Sequence, residues 1–412
     1  MEKALQRTGL LLEMTKHYDV IIIGAGVIGL ATGLKLLERS PRLKVAILDK
    51  EEDVGKHQTG HNSGVIHQGI YYKPGSLKAQ NCLKGVKELL KFCDEYQISY
   101  EKCGKVIVAA TKEEIPRLDE LERRGKANGV EGLERIGKER LKEIEPAAFG
   151  IEALYSPNTA ITDFVAVAKK YAQILSNKGA EIFLDSKVTR IRTAGKEIVL
   201  TTSEREFHSS FIINCAGYYA DKIAHESSRD ISRKQIIPFR GEYYKLVEEK
   251  NGLVKGLIYP VPDPSLPFLG VHVTKMIDGS VEAGPNAVLA LDREGYQKTS
   301  ISMQQIWDLA TYPGFWKMAM RYWKVGCYEL YRSYNKGAFV KDIQRLVPSI
   351  QAKDLLPGES GVRSQVVGND GSICDDFAII QRPGMIHVLS APSPGATASL
   401  AIGKHIASLY PL

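Results

Sequence analysis

Tyr18-Asp19-Val20-Ile21-Ile22-Ile23-Gly24-Ala25-Gly26-Val27-Ile28-Gly29 is the stretch on which the fold turns. Its front half reads as a buried strand, and its back half bends through closely spaced glycines into an apolar helix ending near Ser40-Pro41. Lys44 to Leu48 is the next strand, completing a βαβ unit. Gly24 permits the tight bend, Gly26 lets the backbone approach a pyrophosphate, and Gly29 lets helix and strand pack closely. Asp49 closes the second strand 20 residues after Gly29, where a carboxylate can accept hydrogen bonds from an adenosine ribose. Together these features point to a dinucleotide. They do not decide between NAD and FAD.

Beyond this unit, Leu83 to Gln97 has the periodicity of an amphipathic helix and Gly104 to Ala110 that of a strand. The charged stretches Glu113 to Asn128 and Lys138 to Ile144 read as solvated helices. Phe164 to Lys178 is a further helix and Glu181 to Leu184 a strand; Phe211 to Gly217 is a strand ending in a small-residue turn suited to close approach by a ligand. From Ile237 to about Ala290 short strands punctuated by Pro and Gly indicate an antiparallel sheet. Helical segments follow over Met303 to Ser333, then short strands and a final helix. The expected architecture is α/β: a discontinuous Rossmann-like domain (17–95, 156–235 and 346–412) with an antiparallel-sheet substrate domain (96–155 and 236–345). No internal repeat of fixed period is present.

Composition narrows the class. The chain has 412 residues, 44% hydrophobic and 25% charged, which suits two globular domains and excludes a largely disordered protein. The net charge of +7 favours anionic ligands or an anionic surface, but the cations are scattered, so nucleic-acid binding is not expected. The six cysteines form no CxxC pair and no metal-like spacing with histidine, pointing to isolated thiols, a reducing cytoplasmic compartment and no metal site. Val20 to Leu34 is the longest uncharged apolar run, too short to span a membrane, and Met1 to Lys16 lacks the pattern of a cleaved leader. Tyr312 to Lys324 interleaves aromatics with cations, a pattern shared by packed helices and by helices lying on the inner face of a membrane.

The segment from Gln58 to Tyr72 is dense in glycine and hydrogen-bonding side chains, as expected of a loop wrapping a large, partly polar ring system. Within it, His61 to Tyr72 resembles the L-2-hydroxyglutarate dehydrogenases and oxidases of the D-amino-acid-oxidase-like FAD family. So do Pro238 to Tyr244, Ile258 to Asp263, Gly284 to Ala290, Gly361 to Arg363 and Ala391 to Thr397. The resemblance runs from Tyr18 nearly to the end of the chain. It implies FAD-linked oxidation of L-2-hydroxyglutarate to 2-oxoglutarate by hydride transfer to flavin N5, with electrons passed to a quinone, another carrier or oxygen.

That chemistry assigns expected roles. Removing a hydride from a hydroxyl-bearing carbon requires a base, for which His67 is the first candidate and His272 the second; His57 and His61 read as loop or flavin contacts. A dicarboxylate calls for arginine. Arg363 matches a family position facing the substrate near the flavin, and Arg240, Tyr243 and Tyr244 are further substrate candidates. Asn62, Ser63 and Gly64, with Ala216 and Gly217 in the turn that ends the strand from Phe211, are expected to contact the flavin, and Val188 the adenine. Gly395, Ala396 and Thr397, before the last helix, would place backbone N–H groups at the flavin's pyrimidine end. Two other readings use the same fingerprint: an amino-acid or amine oxidase on this fold, and a non-catalytic dinucleotide-binding regulator.

Overall fold

The computed structural model describes residues 16–195, 197–227, 234–264 and 269–411; the leader reading of the first residues falls outside them. Asp19 divides the opening run. His17–Tyr18 pairs with Glu206–Ser209 in a four-stranded sheet, whereas Val20–Ile23 becomes a central strand of a six-stranded one. The latter sheet runs, edge to edge, Glu181–Phe183, Val45–Leu48, Val20–Ile23, Ile212–Asn214, Met385–Ser390 and Ala378–Arg382. Its first five strands are parallel and the last is antiparallel. Val20, Ile21 and Ile22 are fully buried because helices cover one face and the four-stranded sheet the other, which is why the run is continuously apolar rather than alternating.

The helix Val27–Arg39 crosses between the first two strands and packs against Phe164–Asn177 and Ser399–Ser408. Close approach to the last of these is possible because Gly403 has no side chain: a Cβ there would stand 2.7 Å from the Ala31 carbonyl carbon. The C-terminal segment is thereby fixed beside the N-terminal unit.

A nine-stranded sheet forms the second layer, in the order Val288–Leu289, Lys234–Leu246, Val281–Gly284, His272–Lys275, Leu257–Pro260, Lys105–Ala109, Glu152–Ser156 and Glu134–Gly137, with Leu355–Gly368 paired to Lys234–Leu246. It is antiparallel except where Leu257–Pro260 lies parallel to Lys105–Ala109. Leu355–Gly368 departs from the expected division at residue 346. Its ladder with Lys234–Leu246 runs from Lys234↔Gly368 to Leu246↔Leu355, so it belongs to the antiparallel sheet. The expected helical span Met303 to Ser333 is two helices, Met303–Thr311 and Pro313–Tyr334, because Pro313 takes the first helical position of the second and cannot donate back to the first. A small sheet of Val65–Ile66, Ala160–Thr162 and Tyr100–Glu101 lies between the layers.

Candidate active site

A cavity of about 1090 Å³ follows the C-terminal ends of the parallel strands and opens beneath the nine-stranded sheet. That exceeds a site for a small substrate alone, since ligand pockets run to roughly 1,000 Å³. Val188, Asp49, Gly24, Gly26, Ala216, Gly217, Asn62, Ser63, His67, Gly395, Ala396 and Thr397 line it, so strand ends distant in sequence share one trough. Gly29 and Gly64 do not. Gly29 lies behind the turn, where a Cβ would stand 2.0 Å from the Gly24 carbonyl oxygen, and at Gly64, which has φ +65°, a Cβ would stand 2.6 Å from the Thr162 carbonyl oxygen. Both let backbone meet backbone and do not themselves face the trough.

The turn is shaped to leave room. Gly24 sits at φ +109° against the Cys215 carbonyl oxygen, which a Cβ would approach to 2.4 Å, while at Gly26 the nearest atom to a Cβ is Thr59 Oγ1 at 3.4 Å. Val27 donates its N–H to Thr59 Oγ1 at 3.0 Å, and the first turn of this helix, whose positive end meets the trough, carries no acid. The Asp49 carboxylate accepts from Ala25 N–H at 2.6 Å and Glu51 N–H at 3.0 Å; burial, the dominant influence, raises its pKa despite those bonds. Asn62 shapes its own loop, donating to the Gln58 and Thr59 carbonyls and accepting from Gly64 N–H. Thr397 Oγ1 accepts from His67 N–H and donates to the Val65 carbonyl, tying the C-terminal turn to the loop. His57, Glu51 and Glu294 cluster at the rim, with the Lys50 ammonium bonded to both carboxylates, so the cluster already holds a cation.

At the other end His67, His272, Tyr243, Tyr259 and Arg363 face the same space. His272 is buried and stacks on Tyr259 with centroids 3.9 Å apart. Its Nδ1–H donates to the Gly270 carbonyl at 3.0 Å, which leaves Nε2 with the lone pair in the neutral ring. His67 Nδ1 is buried and has no partner among the described residues. Burial pulls the pKa of each histidine down to about 3, with the charge of Lys105 also lowering His67 and that of Arg363 lowering His272. Arg363 hydrogen-bonds the hydroxyl of Tyr243, whose pKa burial raises and Arg363 opposes.

Arg240 and Tyr244 correct the expectation. Side chains alternate along Lys234–Leu246, so Gly241 and Tyr243 reach the trough while Arg240, Glu242 and Tyr244 point away. Tyr244 packs edge-on against Phe339 at 4.8 Å. Arg240 Nε and Nη2 donate to Glu242 Oε1 at 3.0 and 2.9 Å, and Nη1 donates to the Gln297 carbonyl at 3.1 Å. Replacing it with methionine is expected to destabilise the protein by roughly 3 kcal/mol, by leaving Glu242 short of its buried partner, without altering substrate affinity. Denaturant melts and steady-state KM are the check, and a raised KM at unchanged stability would return Arg240 to the site.

Sequence reading also passed over Thr59, Tyr259 and Lys105. Tyr259 lay within a quoted motif, and Lys105 announced itself as a charge in the apolar run Lys105-Val106-Ile107-Val108-Ala109.

This arrangement of glycine turn, helix N-terminus and long trough is that of an FAD-dependent oxidoreductase. The chain belongs to the FAD dependent oxidoreductase (DAO) family, whose model matches residues 19–409. Within that family it is 50% identical to the L-2-hydroxyglutarate dehydrogenase of Indibacter alkaliphilus, over 94% of this chain and 97% of that protein. The mitochondrial L-2-hydroxyglutarate dehydrogenase of Homo sapiens is 42% identical, over 95% of this chain and 88% of that one. The fold matches L-alpha-glycerophosphate oxidase from Mycoplasma pneumoniae, a structure with FAD bound, at TM-score 0.76, 24% identity and 96% of each chain. It also matches glycine oxidase from Geobacillus kaustophilus at TM-score 0.70 and 18% identity, over 96% of this chain and 95% of that one.

Proposed function

We propose that the chain oxidises L-2-hydroxyglutarate to 2-oxoglutarate. The relatives' shared activity supports this, and the single structural observation that carries it is the pairing, in one cavity, of a histidine with a fixed tautomer and an arginine. Gly24, Gly26 and the helix end at Val27 would hold the pyrophosphate of FAD; Asp49 and Val188 would meet the adenosine half, and Ser63, Ala216, Gly217 and the turn Gly395–Thr397 the flavin. FAD, when bound, supplies the acceptor for the hydride.

His272 takes the hydroxyl proton at Nε2, the atom its Gly270 bond leaves basic, so the structure's tautomer favours His272 over His67 as base. Arg363, oriented by Tyr243, binds a carboxylate of the substrate. Tyr259 backs the imidazole and keeps water from it. The substrate thus loses one proton to the protein and two electrons, as hydride, to the cofactor.

Anaerobic mixing tests this. L-2-Hydroxyglutarate is expected to bleach the flavin, with its D isomer and L-glutamate far slower, and Arg363→Met should weaken substrate binding by about 100-fold, the loss expected for a charge-assisted contact that the substrate itself shields from water. Bleaching by L-glutamate instead would favour the amino-acid oxidase reading, and none by the L-hydroxy acid would end the proposal.

The natural acceptor is proposed to be a membrane quinone. Among the described residues no helix is long and apolar enough to cross a membrane. The helices at 303–334, however, expose Met303, Trp307, Trp316, Met320 and Trp323, of which the last three recur at helical spacing beside Lys317 and Lys324. Holoenzyme should float with vesicles containing anionic lipid, and a Trp316→Ser, Trp323→Ser variant should lose most of that binding; equal flotation of both would refute the contact.

A further inference from the structure

Lys105 opens the strand Lys105–Ala109 and is 1% exposed. Alternation places its side chain on the face shared by Ile107 and Ala109, which pack with Val65, Ile70 and Tyr259 on the cavity side of the sheet. The ammonium lies 4.7 Å from the ring centroid of Tyr71 and 5.2 Å from that of Tyr259, the ring on which His272 stacks. Both tyrosines line the cavity.

Among the described residues no carboxylate pairs with this ammonium, and the one acidic group that opposes the effect of its burial is the Cys82 thiol, whose own pKa burial pushes up. A buried cation faced by aromatic rings alone is costly to keep. Two other buried polar atoms of the cavity wall, His67 Nδ1 and Tyr71 Oη, likewise lack partners. His67 and Tyr71 line one corner of the cavity with Lys105 packed against the Tyr71 and Tyr259 rings beside it, and an incoming anion would complete that corner.

We infer that Lys105 is a positioning residue of the site, whose buried charge, standing against the Tyr71 and Tyr259 rings that line the cavity, draws the anionic substrate in and bears on His67 beside it. The identity of the anion rests on the function proposed above; the charge effect on His67 does not.

The groups facing Lys105 are Cys82 from the helix Leu77–Tyr96, His67 and Tyr71 from the cavity loop, Tyr259 from its neighbouring strand and His272 stacked on it, on which Arg363 also acts. Burial lowers the Lys105 pKa to about 8, with Cys82 opposing. Its charge is therefore present at neutral pH and is lost as pH rises through about 8. Substrate capture should weaken on that alkaline side.

Three forms of the holoenzyme test this: wild type, Lys105→Arg and Lys105→Met. In the wild type, KM for L-2-hydroxyglutarate should rise about tenfold between pH 7 and pH 9.5, whereas in Lys105→Arg, which cannot lose its charge, it should stay flat. Lys105→Met should show a KM about 30-fold higher at pH 7 with kcat within about threefold, the split expected when ground-state capture is lost. The second readout is independent of turnover. In isotope-edited histidine spectra of the oxidised holoenzyme without substrate, His67 should titrate about one pH unit higher in Lys105→Met and unchanged in Lys105→Arg. A His67 that does not move in Lys105→Met, or a wild-type alkaline rise in KM that Lys105→Arg shares, would overturn the inference. If His67 moves while L-2-hydroxyglutarate fails to bleach the flavin, the substrate reading falls and the role of Lys105 stands. Should the methionine variant not fold, the wild-type and arginine pH profiles alone decide.

Discussion

Gly29→Ala is expected to yield a protein that elutes colourless from gel filtration, its FAD affinity lowered by roughly 100-fold or more. The added methyl would stand 2.0 Å from the Gly24 carbonyl oxygen, and that atom is backbone, so the turn itself must open. Overpacking of this kind costs about 1–3 kcal/mol and often more where a backbone cannot yield, and a tenfold affinity change corresponds to about 1.4 kcal/mol. Gly26→Ala is the informative contrast. Its methyl meets only Thr59 Oγ1 at 3.4 Å, so the apoprotein should melt as the wild type does while still binding FAD more weakly, because the methyl obstructs the approach of the phosphates. The ratio of flavin absorbance to protein, with apoprotein melts, reads both. Stoichiometric FAD in Gly29→Ala would show that this turn does not carry the cofactor.

His272→Gln should retain yellow FAD and lose about 10²- to 10⁴-fold in the rate of flavin reduction, the range over which a positioned base contributes. Glutamine can keep the polar contact to Gly270 but cannot take a proton. His67→Gln should lose less, since among the described residues no group meets its Nδ1 to fix the tautomer. Rapid-reaction traces decide, and the reverse order would move the base to His67. The pKa values near 3 also set the acid behaviour. Both rings are neutral when folded, whereas the unfolded chain protonates them near pH 6.5. Between about 6.5 and 3 the unfolded state binds more protons, so stability falls as pH falls through that window.

Legibility in the sequence followed how local each feature is. The glycine turn, Asp49 and the loop from Gln58 to Tyr72 could be read because a strand, a tight turn and a helix start are specified within about thirty residues. Arg363 was found through resemblance to a family and His272 as the second histidine the expected chemistry could use, and the cavity brings them together. Arg240 and Tyr244 misled because a motif records adjacency along the chain, whereas a strand sends neighbours to opposite faces. Leu355–Gly368 was placed with the wrong sheet for a related reason: its partner strand begins at Lys234, and no local pattern names a ladder that distant.

The first βαβ unit, its glycine turn and the expectation of a dinucleotide were thus settled by the sequence itself, since each depends on spacing within a short stretch, while FAD was implied by the family resemblance. Which face each strand turns to the trough, which histidine has its tautomer fixed by Gly270, and which cation stands buried without a carboxylate among the described residues were decided only by the tertiary structure. These depend on groups brought close by folding. A tautomer is set by the carbonyl a ring nitrogen meets, and an unpaired charge is defined by everything packed around it.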